Sequence, residues 1–413
     1  IHVAEVPYLY VLPPDLSQVF PPKGSAAGNS PVIVRGAHFL PGATVMFGTA
    51  PATAVTLVDA STLVLRAPAG TVGATVNVTV TNPDGQSAIK YTAYTFVDPA
   101  SIGPAPTIAA LKPPTGPTTG FTWGLVSGEN IAPGAWALFG TRPVGTFDVK
   151  SEGLARFVTS PSIAGAVDVT ILNADGGFGT APGAFTYVLS TDLDAPPVVT
   201  SVSPVSGPTQ GGTAVTLNGS DLDADAVVFF ETTPAAAVTA QAPKLTVTTP
   251  AHPTGLVDVV VTDAEGQTTL LVGAFTFVPP PTLESITPTS GPSAGGTYVT
   301  ATGTGFVLGA TPAASTRVRI CEDYASSSGC VDADVTKTTV ASGTTLTFTT
   351  PAQLAGTSDV VVINPDGQEA VLTHAFFFRA PPKILGVNPQ SGSTNGGEVV
   401  TIGPSSARYP RSR

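Results

Sequence analysis

At 413 residues the chain exceeds the reach of one hydrophobic core, about 250–300 residues, so several domains are expected. It is 42% hydrophobic but only 11% charged, with a formal net charge of −11, which excludes the basic stripe that nucleic-acid binding requires. No apolar run approaches the roughly 20 residues of a membrane-spanning helix, so direct membrane insertion is not expected of this segment. The 44 glycines and 41 prolines fall at regular positions between Val/Thr-rich runs and read as turn punctuation in an all-β protein.

In chain order, the first feature is Val6-Pro7-Tyr8-Leu9-Tyr10-Val11-Leu12, which reads as the closing strand of a repeat whose body is missing. The interval from Tyr10 to Pro21 equals those from Phe277 to Pro288 and from Phe378 to Pro389. Five turns then recur: Pro21, Pro113, Pro204, Pro288 and Pro389 each precede by three residues a glycine, namely Gly24, Gly116, Gly207, Gly291 and Gly392. In the clearest copy, Pro204-Val205-Ser206-Gly207-Pro208 leads to Gly211-Gly212-Thr213 and then to Gly219 and Asp221-Leu222. The first two repeats are looser, with Gly28-Asn29-Ser30 and Thr119-Gly120-Phe121 where Gly-Gly-Thr is expected. A late turn marks the far end of each repeat: Asn82-Pro83-Asp84-Gly85, Asn173-Ala174-Asp175-Gly176, Asp263-Ala264-Glu265-Gly266 and Asn364-Pro365-Asp366-Gly367. Glycine takes the positive φ that such hairpin turns require. An aromatic-rich strand closes each unit, as in Phe275-Thr276-Phe277. The period of about 85–100 residues is the size of one sandwich domain.

Within the third repeat, Val215-Thr216-Leu217, Val227-Val228-Phe229-Phe230, Leu245-Thr246-Val247 and Val257-Asp258-Val259 alternate as strands that bury one face. With the flanking segments they give about seven strands, the number of a two-sheet sandwich. No window shows an amphipathic helical period. The fifth repeat begins at Lys383 and stops after Ile402, so this end too reads as cut; Arg408, Arg411 and Arg413 form the chain's only basic cluster, on a tail that fits no repeat. Ile1 opens the sequence without a signal peptide, so targeting information is expected to lie elsewhere.

Candidate chemistry is sparse. His2, His38, His252 and His374 fall in different repeats, whereas a catalytic or metal site needs such groups to converge. The glycine-rich words lack a phosphate-binding lysine and a following helix. Asp221, Asp223 and Asp225 are weak calcium candidates, with Asp192 and Asp194 in the preceding linker able to approach them. Ala226 stands where a calcium loop needs glycine and Thr232 where it needs glutamate, so a solvated acidic turn is the competing reading. Cys321 and Cys330 flank an insertion in the fourth repeat; their spacing fits a loop-closing disulfide and an oxidising compartment, with two separate thiols as the alternative. The loop between them carries Glu322, Asp323 and Tyr324 and reads either as a stapled hairpin without a partner or as a constrained contact surface. Asn77-Val78-Thr79 and Asn218-Gly219-Ser220 match the glycosylation acceptor pattern. Trp123 and Trp136 lie in the second repeat and are the aromatics to test for polysaccharide binding, although partial burial is the commoner fate of tryptophan.

The repeated turn words and the late Asp-Gly turn resemble the IPT/TIG domain, an immunoglobulin-like fold found in plexins, transcription factors and bacterial surface proteins. The resemblance implies a linear array of β-sandwich domains: residues 1–14 as the end of a truncated repeat, repeats at 15–98, 99–190, 191–279 and 280–379, and a truncated repeat at 380–413. Proline-rich linkers such as Val278-Pro279-Pro280-Pro281 are expected to hold neighbours apart but in line. The motif residues are turn formers, so function stays open. The expectation is a non-catalytic structural or adhesive segment of a cell-surface or secreted protein, a monomeric rod with an unidentified extracellular protein or glycan ligand and no cofactor. The alternative is an accessory region, spacer or carbohydrate-binding, of a secreted polysaccharide-active enzyme.

Overall fold

In the computed structural model, which describes residues 11–241, 243–309, 311 and 315–403, the chain forms two compact units, 1–277 and 278–413. Residues 1–10, most of the candidate closing strand, lie outside the described residues, as do His2 and the basic tail with Arg408, Arg411 and Arg413.

Strand alternation in the sequence becomes four two-sheet sandwiches with one shared plan. In sandwich 1, Asp15–Phe20, Pro31–Ala37, Thr62–Arg66 and Thr53–Asp59 form a four-stranded antiparallel sheet in that order. The facing sheet has five strands, in the order Lys23–Ser25, Ser87–Val97, Thr75–Thr81, Thr44–Phe47 and Ala50–Pro51. Its first strand runs parallel to the second, and the rest are antiparallel. Sandwiches 2, 3 and 4 repeat the same two strand orders. Alternate residues fill the space between the sheets, for example Val32, Val34, Val45, Phe47, Val78 and Val80 in sandwich 1. Aromatic rings meet edge to face there, as Phe230 and Phe275 do in sandwich 3 at 5.2 Å and 77°. Each buried ring of this kind contributes on the order of 2–3 kcal/mol through burial alone. A fifth fragment pairs Gly386–Asn388 with Thr401–Gly403 and leaves Val399 87% exposed.

The repeated turn words have one mechanical job in every copy. The peptide before each of Pro21, Pro113, Pro204, Pro288 and Pro389 is cis, and in the four sandwiches the turn there carries the chain from the four-stranded to the five-stranded sheet. A Cβ on Gly116, Gly207 or Gly291 would overlap the hydroxyl of Thr122, Thr213 or Thr297. That threonine follows two residues with left-handed backbone: Gly211 and Gly212 have φ of +76° and +84°, Gly120 and Phe121 have φ of +76° and +64°. The equivalent of Gly-Gly-Thr in the second repeat is therefore Gly120-Phe121-Thr122, one residue later than the sequence reading placed it. Phe121 tolerates the register because its side chain is 70% exposed.

In the first unit the linkers do not hold the sandwiches apart, contrary to the expectation from their proline content. Adjacent sandwiches pack sheet on sheet. The outer face of the four-stranded sheet of sandwich 1 supplies Phe20, Ile33 and Val64, which are buried against Leu138, Leu172, Trp136 and Phe178 on the five-stranded sheet of sandwich 2. Trp123 and Leu125 of sandwich 2 repeat the arrangement against Val227, Phe229 and Val260 of sandwich 3. At the two ends of this run several positions that dock elsewhere are polar, beside exposed apolar neighbours such as Ile89 and Val198. Thr44, Thr79 and Thr81 occupy the positions on sandwich 1 that correspond to Trp136, Thr170 and Leu172, and Thr216 and Asn218 on sandwich 3 correspond to Leu125 and Ser127.

The adjacent left-handed glycines Gly211 and Gly212 of sandwich 3 should differ in tolerance. A Cβ on Gly211 would overlap the Pro250 carbonyl group, whereas Gly212 has open space around it and its counterpart in sandwich 1 is Asn29. Thermal unfolding should show Gly211→Ala destabilising by about 2 kcal/mol or more and Gly212→Asn by less than about 1 kcal/mol.

Candidate functional site

Three places concentrate chemistry: the docked sheet faces, an acidic cleft on sandwich 3 and the disulfide loop of sandwich 4. At the first docked face, Phe20 stacks on Trp136 at 4.6 Å and 16°, and the Arg35 guanidinium lies 4.8 Å from the same ring. Arg66 lies 5.7 Å from the Phe178 ring. At the second face Trp123 meets Phe229 edge-on at 5.7 Å, with Arg156 4.5 Å from the indole. Burial lowers the affinity of the Arg156 guanidinium for its proton, and Asp148 partly restores it. A cation held over an aromatic face in a desolvated site gains about 2 kcal/mol. Both tryptophans are thus engaged between sandwiches and do not form an open platform for a sugar ring.

The repeat signatures meet each other at these faces. Thr122 donates its hydroxyl to the Gly266 carbonyl at 2.8 Å, and Thr115 donates to the Ala264 carbonyl at 3.1 Å. The late turn of sandwich 3 therefore sits on the Pro-x-x-Gly turn of sandwich 2. A Cβ on Gly266, whose φ is +84°, would overlap the Thr115 carbonyl oxygen. Gly176 stands in the same relation to Gly24 of sandwich 1.

The acidic candidates do gather. Asp221, Asp223 and Asp225 line a shallow cleft with Asp194, Asp263 and Glu265. Asp225 pairs with Lys112 of sandwich 2 at 3.6 Å, and Asp223 accepts the Ala264 N–H at 3.5 Å. Among the described residues, no group of three or more His, Cys, Asp or Glu side chains has the arrangement of a metal site. His38, His252 and His374 lie on sandwiches 1, 3 and 4. His252 bonds Glu231 at 3.0 Å and stacks on Phe277 at 4.8 Å. Asn77 is exposed, although its Oδ1 accepts the Thr92 N–H at 2.9 Å, and Asn218 donates to the Ser201 hydroxyl at 2.8 Å.

Asp263 is the residue that sequence reading passed over. Asn82, Asn173 and Asn364 hold the corresponding position in the other sandwiches, and each donates Nδ2–H to a backbone carbonyl of a left-handed residue. The acceptors are His38 at 2.8 Å, Asn130 at 2.9 Å and Gly305 at 2.8 Å. In sandwich 3 the left-handed residue is Asp221, with φ of +56°. The facing side chain is Asp263, only 4% exposed, which accepts the Gln267 N–H at 2.8 Å and the Glu265 N–H at 3.0 Å. A carboxylate has no hydrogen to give the Asp221 carbonyl; the protonated acid has one. Burial pushes the Asp263 carboxyl up to about 6, with Asp223 and Glu265 adding to the rise and the two backbone donors opposing it. The signal was legible: the late turns read Asn, Asn, Asp, Asn.

The loop of sandwich 4 is closed by a Cys321–Cys330 disulfide. Tyr324 donates its backbone N–H to Asp359 Oδ2 at 2.9 Å and its hydroxyl to Glu369, so the ring lies half-buried against the sheet. Asp323 is exposed, and hydrogen bonds from Ser326 and Ala325 hold its carboxyl below the usual range. Glu322 is half-buried.

The raised Asp263 pKa fixes a sign. The folded chain holds this proton more tightly than the unfolded chain, so the stabilisation is complete below about pH 4 and is lost as pH rises through about 6. Asp263→Asn supplies the missing donor at every pH. Denaturant unfolding at about pH 7.5 should show the variant more stable by about 1 kcal/mol, with this residue's part of the pH slope between about pH 4 and 6 abolished.

Three stretches of the chain, residues 14–97, 197–277 and 281–377, match the IPT/TIG domain. Sandwich 2 lies between the first two and has the same strand order. Among solved structures, the full extracellular region of plexin A4 is similar at 14% identity, covering 96% of this chain and 42% of that one with a TM-score of 0.32. This chain therefore spans well under half of the plexin region. The surface glycan-binding protein PbSGBP-B of Prevotella bryantii is 18% identical over 44% of this chain and 41% of its own, with a TM-score of 0.20. Invasin, a bacterial integrin-binding protein, is 13% identical over 89% of this chain and 79% of its own, with a TM-score of 0.23. The matched stretches cover most of the chain and coincide with three of its four sandwiches: the chain belongs to the IPT/TIG domain family, as a tandem array of immunoglobulin-like β-sandwiches.

Proposed function

We propose that this chain is a non-catalytic structural segment of a secreted or cell-surface protein, a spacer that sets the position of a binding partner. The observation that supports this most is the interlocking of sandwiches 1, 2 and 3 through Trp136 and Trp123, which makes one stiff body from three sandwiches. A stiff body passes little of its own motion to whatever it carries, which is what a spacer needs. The Cys321–Cys330 disulfide supports an oxidising compartment, and with it an extracellular setting. The described clefts hold no nucleophile with an adjacent base, which favours a binding or spacing role over turnover. The ligand class is an extracellular protein or glycan, and the chain acts as a monomer. The alternative, an accessory region of a polysaccharide-active enzyme, loses its strongest candidate contacts because the tryptophans are already packed.

Limited proteolysis tests the stiff-body reading. The parent chain should resist cleavage in the linker 98–106. Trp136→Ala removes the ring that meets Phe20 and Arg35 and should cost the junction about 2–3 kcal/mol, raising cleavage there at least tenfold while each sandwich stays folded. Equal cleavage of both proteins would refute the reading.

A further inference from the structure

The outer face of the five-stranded sheet is covered in sandwiches 2 and 3 by the preceding sandwich. In sandwich 4 the same face is apolar along its centre. Val361 pairs with Arg319 as Val260 pairs with Phe229 in sandwich 3, and Ile363 occupies the register position of Leu172 in sandwich 2. Cys321, Val361 and Ile363 are 0%, 0% and 4% exposed, yet they point away from the core that Val360 and Val362 fill. What buries them is the chain's own insertion, with Tyr324 and Cys330 packed over them and Val371 alongside.

We propose that the Cys321–Cys330 loop is an intramolecular stand-in for a neighbouring sandwich: it fills the docking face of sandwich 4 and keeps that face from accepting the four-stranded sheet of another sandwich. Two features fit the loop to this job. Its bonds run inward, from the Tyr324 backbone to Asp359 and from the Tyr324 hydroxyl to Glu369 on the same sheet. Its outer surface is polar, built from Asp323, Ser326 and Ser327, so what was an aliphatic stripe is presented to solvent as carboxylate and hydroxyl. An uncovered stripe on a five-stranded sheet of a repeat protein would be a standing site for association with further copies. The Arg317 and Arg319 positions, where sandwich 3 has Val227 and Phe229, remove part of the apolar surface a neighbour would need.

The test uses the full chain with residues 322–329 replaced by an Asn-Gly turn, together with Cys321→Val and Cys330→Thr. Sedimentation velocity at micromolar concentration should show self-association absent from the parent, and binding of an apolar fluorescent dye should rise several-fold. Adding Val361→Thr and Ile363→Thr to the shortened chain should reverse both changes. A shortened chain with unchanged circular dichroism that sediments and binds dye like the parent would overturn the proposal. Should the shortened chain fail to fold, Tyr324→Ser with the disulfide intact decides: dye binding rises if Tyr324 covers the stripe, and a parental dye signal overturns the proposal.

Discussion

Trp136, stacked on the Phe20 ring and in reach of the Arg35 guanidinium, is the contact on which the first unit depends. A β-sandwich satisfies its own core and needs nothing from its neighbours, so a tandem array is by default a flexible string. The outer sheet faces decide otherwise here. Ile33 and Leu125 point away from their own cores, and each would cost free energy if left in water; the next sandwich removes that cost by covering them. The hydrogen bonds from Thr115 and Thr122 to the Ala264 and Gly266 carbonyls then fix the angle at which the second face closes. Stiffness thus comes from side chains on the sheets.

The same logic explains where docking stops. Outward positions turn from Ile33 and Leu125 to Thr216 in the second strand of the four-stranded sheet, and from Trp136 and Val227 to Thr44 in the five-stranded sheet. Hydroxyls on a sheet face are content in water, so the two ends of the three-sandwich body lack the apolar contacts that Trp136 and Leu125 make at the docked faces. Sandwich 4 keeps the aliphatic stripe and covers it from within. Four copies of one plan therefore differ mainly in what their outer faces ask for.

The sequence made the fold legible because turn residues carry hard steric requirements. Gly207 is pressed against Thr213, and no side chain can replace its hydrogen without moving that threonine, so the word recurs wherever the turn recurs. Strand identity followed from period-two burial. The disulfide was readable from spacing and context. Docking was not, because Ile33 in Val32-Ile33-Val34 looks like one more strand residue; whether an outward isoleucine faces water or a neighbour depends on contacts that no local pattern encodes. Phe121 hid in plain sight for a related reason, since a bulky residue with left-handed backbone contradicts its own preference and shifts the apparent register by one. Asp263 was visible as the odd member of a series of asparagines, but its meaning required seeing which carbonyl those asparagines serve.

The central claim is that outward apolar residues weld sandwiches 1, 2 and 3 into one cooperative body. Differential scanning calorimetry of the full chain, parent against a Trp123→Ala, Trp136→Ala double variant, tests it most directly. The parent should unfold these three sandwiches in one transition, which the double variant splits into separate transitions at lower temperature. Three independent transitions in the parent, unmoved by the substitutions, would contradict it.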